Sequence, residues 1–531
     1  MRGAGASEPL DAAAATTGAT VLSGSAWKAA SLALPQLYAL VQSIVAARFL
    51  GPSGMGVQSF IAFSEIALVS LTSTGLSLSL MRYVGELLGR GRPGELRDLV
   101  SWGWRFQTIG AVLAGAALGA ASLAGAHPRT AWALAAVAAV ASVLHTVPSA
   151  VLIGAQRWRD ASIVGLATGT VATGAIVAVL AAGGGITGMF AVEAVLAVVN
   201  LAWTGSLGRR ALGRVASVPR VASASIRHGA RSYALFGSAT AIVTFIVWRR
   251  SELFFLQHYS ASAQLAFYSI PFAVVTALTA LPTSLGDVVS PAVATLFGAG
   301  ATDRIGRGYG RGARLLLLVA LPVTAAALAL GPETLRVIWG RDYSKAAPVF
   351  LILVSPLPLI PLINFARSFL TGIGLIRVPL LIVALAGVLN VGLDFLLVPR
   401  YDAVGAAIAN VSAQLAAGLP VLAYTRSQIG GVRWEAGALA RTATASALAG
   451  AVAWAGVLLL GGAGGLLLGL LAGAVAFTAL GALLRILPAD DARWLDDAVG
   501  RRLGGVLGRT VRLWSRLPAP AVSGSEPTPR R

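Results

Sequence analysis

The sequence has no cysteine among its 531 residues. Disulfide bonds, thiolate metal sites and thiol catalysis are therefore excluded. Charge is scarce too: 12% of residues are Asp, Glu, Lys or Arg, about half of what a water-soluble domain needs to cover its surface. Acid is scarcer than base, with 21 Asp and Glu against 41 Lys and Arg. The four histidines, His127, His145, His228 and His258, are scattered, and none of their spacings suits a zinc site. Residues 1–20 lack the basic start and apolar stretch of a cleaved signal and read as a disordered cytoplasmic tail.

What the chain has in abundance is apolar sequence: 56% of its residues are hydrophobic and its mean hydropathy is +0.78. Apolar runs of roughly 20 residues, each enough to cross a hydrocarbon core, recur along its length. They are continuous rather than alternating, which indicates helices and not a β-barrel. The expected fold is an all-α polytopic membrane protein. About 14 transmembrane helices are read from this pattern, centred near residues 34, 69, 113, 141, 172, 196, 245, 277, 322, 358, 387, 414, 449 and 473.

Linker charge gives the topology. Linkers after the second, fourth, sixth, eighth and twelfth spans are basic (Arg90, Arg92 and Arg97; Arg157 and Arg159; Arg209 to Arg231; Arg304 to Arg314; Arg426 to Arg441). Those after odd-numbered spans are short and mostly uncharged, except for the group Arg336, Arg341 and Lys345. Short basic loops stay cytoplasmic, so both termini are expected in the cytoplasm. The net charge of +20 is thus a topological signal, and no nucleic-acid partner is expected.

Catalytic groups are missing from the places an enzyme would need them. Outward linkers are short, and the charged one, Glu333 to Lys345, is small. Gly308, Gly310 and Gly312 follow no strand, so they do not read as a phosphate loop. Gly465, Gly469 and Gly473, like Gly115 and Gly119, recur every fourth residue, a pattern of close helix packing. The Asp490-Asp491 pair reads as acids placed at a helix N-terminus. Beyond it, Leu495, Val499, Leu503, Val506 and Trp514 alternate with arginines. Either a basic amphipathic helix on the inner leaflet or a stop-transfer tail fits this pattern. No enzyme activity and no cofactor are expected. Transport fits better.

The chain also echoes itself. ARFLGPSGMGVQSFIAF (Ala47 to Phe63) and FFLQHYSASAQLAFYSIP (Phe254 to Pro271) each leave the membrane through Phe-Leu, turn through small residues and re-enter. Each is followed by a span and a basic loop. A parallel duplication is expected, with two six-helix bundles related by a pseudo-two-fold along the membrane normal, plus two C-terminal helices. The boundaries read as 21–208 for the first bundle, 209–231 for a basic cytoplasmic linker, and 232–426 for the second bundle. Residues 427–487 hold the two additional helices, and 488–531 form a basic cytoplasmic tail.

Four motifs in order resemble a known family. RFLGPSGMG (Arg48 to Gly56) resembles the turn after the first helix of bacterial oligosaccharide flippases, within the multidrug/oligosaccharidyl-lipid/polysaccharide exporter superfamily. Arg250-Ser251-Glu252 before LFFL resembles the Arg-x-acid motif that opens the second half, with Glu252 in place of the usual aspartate. VIWGRDYSKAAPVFLIL (Val337 to Leu353) is similar to the outer loop and tenth helix. VPRYDAVGAAIAN (Val398 to Asn410) is similar to the start of the twelfth helix, with Asp402 where glycine is common. The resemblance spans Ala19 to Arg426. It implies a flippase of the cytoplasmic membrane that moves an undecaprenyl-diphosphate-linked oligosaccharide to the outer leaflet by alternating access, for surface polysaccharide biosynthesis. The polyprenyl-diphosphate glycan, membrane lipids and a polysaccharide polymerase are the implied partners. Alternatives within the superfamily are a lipid II flippase-like protein or a cation/drug antiporter. Outside it, a membrane glycan polymerase or ligase stays open.

Charges inside spans are the candidate site residues, because a mid-membrane charge costs roughly 3 kcal/mol unless it meets a cavity or a partner. In TAIVTFIVWRRSELFFLQHYS (Thr240 to Ser260), Arg249 and Glu252 share a helix face and can pair, leaving Arg250 about 100° away. Guanidinium donors suit phosphate oxygens. Arg250, Arg249, Lys28, Arg367 and Arg105 are therefore the expected diphosphate-binding residues, and Arg82 closes the second span. Asp287 and Glu65 are the candidates for ion coupling. Glu193 and Asp394 read as helix-helix partners.

Overall fold

The computed structural model describes residues 18–248, 252–298, 300–375, 377–429, 435–495, 510 and 513–515, and no strand occurs among them. In chain order the helices are α1 (Gly18–Gly89), α2 (Pro93–Leu123), α3 (Arg129–Gly154), α4 (Trp158–Ala181) and α5 (Gly185–Leu212). Then come α6 (Ala224–Trp248), α7 (Glu252–Tyr259), α8 (Ser262–Gly298), α9 (Thr302–Thr334), α10 (Ala347–Val354) and α11 (Leu359–Gly372). The last are α12 (Arg377–Gln428), α13 (Ala436–Leu460), α14 (Gly462–Leu484) and α15 (Ala489–Leu495).

Among the described residues, 11 helical stretches are long and apolar enough to cross a membrane. The protein is an all-helical, multi-pass membrane protein. Two of these stretches, Leu34–Gly89 and Arg377–Gln428, run to 56 and 52 residues, where one crossing takes about 20. Each is a pair of helices joined at a kink. In α1 the break is Gly51, with φ 66° and ψ 177°, a region open essentially to glycine alone. Pro52 follows it and starts the next helix with its φ already set. In α12 the break is Asp402, at φ 47° and ψ −132°, so a residue with a Cβ occupies backbone space that favours glycine. The expected span near residue 245 falls on α6 and α7, and residues 249–251 between them lie outside the described residues.

By its contacts the chain divides into two compact units: Met1–Val274 with Val383–Gln414, and Val275–Ile382 with Leu415–Arg531. In the first unit α3 packs on α2 and α5, with Ala131, Ala135 and Ala139, all fully buried, in the shared apolar cluster. Such small residues let helix backbones approach closely, which supplies the packing where lipid gives no hydrophobic drive. One apolar cluster surrounds Ile61, Leu118, Trp132 and Phe190, and another surrounds Leu80, Val84, Leu96, Leu99 and Val147.

The two echoing turns meet in this unit. A Cβ at Gly56 would stand 1.7 Å from the Ser262 carbonyl oxygen, so only glycine lets the backbones touch. Ser59 and Ser269 share a hydrogen bond of 2.9 Å between their hydroxyls. Phe254 meets the edges of Phe60 and Phe63 at 6.1 and 4.9 Å.

The second unit holds an aromatic core of Tyr309, Phe365 and Phe369 with Val293, Leu370 and Val421. Here α13 and α14 pack through glycine: a Cβ at Gly469 would meet the Ala453 carbonyl at 2.4 Å, and one at Gly473 the Ala453 Cβ at 3.0 Å. The four-residue glycine spacing thus serves close packing here. The same spacing in α2 does so at Gly115, against Val140, while Gly119 faces open space.

Candidate functional site

Among the described residues, a buried polar cluster lies within the first unit. Glu252 begins α7 and is 0% exposed. It accepts a hydrogen bond from Asn410 Nδ2 at 2.7 Å and one from Asn390 Nδ2 at 3.1 Å, both to Oε1. Asn390 also donates to Asp394 Oδ2 at 3.4 Å, and Gln414 Nε2 donates to Asn410 Oδ1 at 2.5 Å. Tyr268 of α8, fully buried, lies beside the same Glu252 carboxylate. The kink at Asp402 makes this possible. Asn390 and Asp394 precede it, Asn410 and Gln414 follow it, and both halves of α12 reach one carboxylate oxygen only because the chain doubles back.

This cluster contains two carboxylates, and its oxygens outnumber its donors. Glu252 Oε2, Asp394 Oδ1 and Gln414 Oε1 are buried with no hydrogen-bond donor. Among the described residues neither Glu252 nor Asp394 has an ion pair with Arg, Lys or His. A buried anion with no cation is costly. The chemical remedies are a proton on one carboxyl or a small cation held by several oxygens, the ligands that hard cations prefer. Among the described residues no group of three or more His, Cys, Asp or Glu gathers. Carboxamides supply the rest of this cluster.

The sequence expectations fall unevenly on this picture. Arg249 and Arg250 lie outside the described residues, as do the side chains of Lys28 and Asp287. Arg105 is exposed on α2, and Glu65 is 5% exposed on α1. Both belong to the first unit, and no hydrogen bond or ion pair joins them. The charge that bears on Glu65 is another acid, Glu193 of α5. Arg367 is half-buried on α11 in the second unit, beside Ala366 and Phe369 of the aromatic core. Glu252, expected as a partner for Arg249, has Asn390 and Asn410 as its hydrogen-bond partners. Asp394, expected as a helix-helix partner, is fully buried and accepts its hydrogen bond from Asn390, one turn away on the same segment. Sequence reading missed Asn390, Asn410 and Gln414 because it followed charge alone. The available signal was a pair of polar residues four apart, Asn390/Asp394 and again Asn410/Gln414, each on one face of an apolar span.

Other charged residues are committed to structure. At the end of α9, Arg336 Nε donates to Glu333 Oε2 at 2.7 Å, and the backbone N–H of Gly462 donates to Glu333 Oε1 at 2.7 Å. Glu333 thereby caps the start of α14. Asp491 stands in the first turn of α15, where a helix N-terminal acid is expected, and it is also fully buried against arginines of the second unit. Arg314 donates to it through Nε at 2.7 Å and Nη2 at 2.9 Å, and Arg311 through Nε at 3.0 Å. Arg311 also lies over the Trp494 ring, 5.5 Å from its centroid. Farther on, Trp514 donates to the Thr478 carbonyl at 3.1 Å and meets the edge of Phe477.

Comparison with known proteins bears on the fold. The MatE family model matches residues 238–396. A comparison with curated protein sequences found no match. Among solved structures, the lipid II flippase MurJ in an inward closed conformation superposes with a TM-score of 0.68 at 12% identity, covering 86% of this chain and 98% of that one. An inward-facing multidrug resistance MATE family transporter of the MOP superfamily gives a TM-score of 0.61 at 15% identity, covering 74% and 94%. A MATE structure in complex with MaD3S gives 0.53 at 15% identity, covering 77% and 95%. With a MatE match across its middle and these likenesses along its length, the chain has the fold shared by the lipid II flippase MurJ and the MATE transporter structures.

Proposed function

We propose that the protein is a flippase that carries a polyprenyl-diphosphate-linked oligosaccharide from the cytoplasmic to the outer leaflet of the cytoplasmic membrane by alternating access, supplying surface polysaccharide synthesis. The observation that carries this reading is the likeness to MurJ over nearly all of both chains. The four flippase-like motifs and the excess of basic over acidic residues support it. Both termini lie in the cytoplasm in this reading, and Arg249, Arg250, Lys28, Arg105 and Arg367 supply donors for the diphosphate.

The Glu252–Asp394 cluster adds a driving step. Its unpaired oxygens take up a proton or a monovalent cation, and loading changes the charge at the fold of α12. Asp287 and Glu65 stay as further candidates for coupling. The same cluster also favours a second reading, a cation-coupled antiporter of organic cations, for which a buried carboxylate is the usual requirement.

The test reconstitutes the purified protein in vesicles with a fluorescent polyprenyl-diphosphate sugar. Labelled lipid should move between leaflets at a rate that responds to a proton or sodium gradient, and Arg250→Ala should stop it. Saturable transport of a cationic dye, with indifference to the diphosphate lipid, would replace the flippase by the antiporter.

A further inference from the structure

At the end of the first unit that carries its basic loops, one arginine stands apart. Arg82, near the end of α1, is exposed and forms neither a hydrogen bond nor an ion pair with any described residue. Its guanidinium carbon lies instead over two rings, 4.9 Å from the centroid of Tyr233 on α6 and 5.4 Å from that of Tyr83. Acids at the end of α1 and at the starts of α2 and α4 are paired with other arginines. Glu86 binds Arg90 at 2.9 Å, Glu95 binds Arg92 at 3.3 Å, Asp98 binds Arg227 at 2.7 Å and Asp160 binds Arg157 at 2.8 Å.

The aromatic seat is fixed by the packing of α1 on α6. Ser79 donates to the Ala230 carbonyl at 2.8 Å. The Tyr83 hydroxyl sits over Gly229, where a Cβ would come within 2.5 Å of it, so this glycine makes room for the tyrosine. Tyr233 follows one helical turn later. A guanidinium lying over a ring has its face covered and its in-plane N–H donors free. Those donors match the oxygens of a phosphate.

We propose that Arg82, seated on Tyr233 and Tyr83, is a binding site for the phosphate group of a lipid in the adjoining leaflet. If the flippase reading holds, that lipid includes the polyprenyl-diphosphate substrate on its way in. The site does not depend on that reading, because an anionic phospholipid headgroup offers the same oxygens.

The experiment places the full-length protein in phosphatidylcholine nanodiscs and titrates two probes, undecaprenyl diphosphate and phosphatidylglycerol. Arg82→Ala should weaken binding of at least one probe about tenfold, the scale of one charge-assisted contact. Arg82→Lys should recover only part of the loss, because the planar donor array is gone. Tyr233→Leu should cost about threefold through the lost ring contact, whereas Tyr233→Phe keeps the ring and should bind like the unaltered protein. That last variant separates the site from a general packing defect. Loss confined to undecaprenyl diphosphate identifies the site as the substrate's; loss confined to phosphatidylglycerol identifies it as a headgroup seat. If the unaltered protein ignores undecaprenyl diphosphate, the flippase reading falls while the phosphatidylglycerol arm still tests Arg82. Affinities for both probes unchanged in Arg82→Ala would overturn the proposal.

Discussion

Glu252 and Asp491 are both fully buried carboxylates, yet their surroundings are opposite in kind. Asp491 receives three hydrogen bonds from two guanidinium groups, and its charge is met. Glu252 receives two hydrogen bonds from neutral carboxamides, keeps one oxygen without a donor, and has a second acid, Asp394, beside its partner Asn390. Burial alone therefore does not mark a working residue. What distinguishes them is whether the surrounding side chains carry a counter-charge. The first arrangement pins α15 to α9, and the second leaves a carboxylate oxygen without a donor.

Substitutions can break or sharpen this contrast. The largest effect on stability is expected at Asp491→Ala, which removes the carboxylate that accepts three hydrogen bonds from Arg314 and Arg311. Removing one partner of a buried pair costs about 3 kcal/mol, read as a lowered unfolding midpoint of the detergent-purified protein. Glu252→Gln should do the reverse. It removes an unneutralised charge while keeping the shape, so the midpoint should hold or rise while gradient-driven transport is lost. A large drop in its midpoint would make Glu252 a structural residue like Asp491.

Asp402→Gly tests the bend that closes α12 around Glu252. Relief of a left-handed backbone at a non-glycine residue should outweigh the added freedom of the unfolded chain and stabilise by about 1 kcal/mol, with transport kept. Loss of transport in that variant would mean that the Asp402 side chain does more than tolerate the turn. The smallest effect is expected next door to the largest. Asp490→Ala breaks only an exposed pair with Arg493, whose side chains are 75% and 66% exposed, and should leave the unfolding midpoint unchanged because water already screens such pairs.

Much of the fold is legible in the sequence. Twenty-residue apolar runs force helices, since a chain in lipid must satisfy its backbone internally, and the order of spans followed from the runs. Gly51-Pro52 announced the first sharp turn because few residues other than glycine reach that backbone region. The resemblance flagged Asp402 as standing where glycine is common, and the positive φ there gives the reason. The turn sequences around Gly56 and Ser262 were recognised as echoes, but their direct packing was not readable from either one.

The candidate site was less legible. Periodicity places a residue on a helix face and says nothing of which distant face meets it. Asn390, Asn410 and Gln414 carry no charge, so a search for costly groups passed over them, although their amides define the surroundings of Glu252. Asp490 and Asp491 are alike and adjacent in sequence, yet one is bathed in solvent and the other is locked between Arg311 and Arg314. The sequence by itself determined the membrane, the helices and the places where the chain turns, because these follow from local hydrophobicity and backbone sterics. Only the tertiary structure decided which buried acid is neutralised and which is left wanting, because that depends on groups more than a hundred residues apart meeting within hydrogen-bond distance.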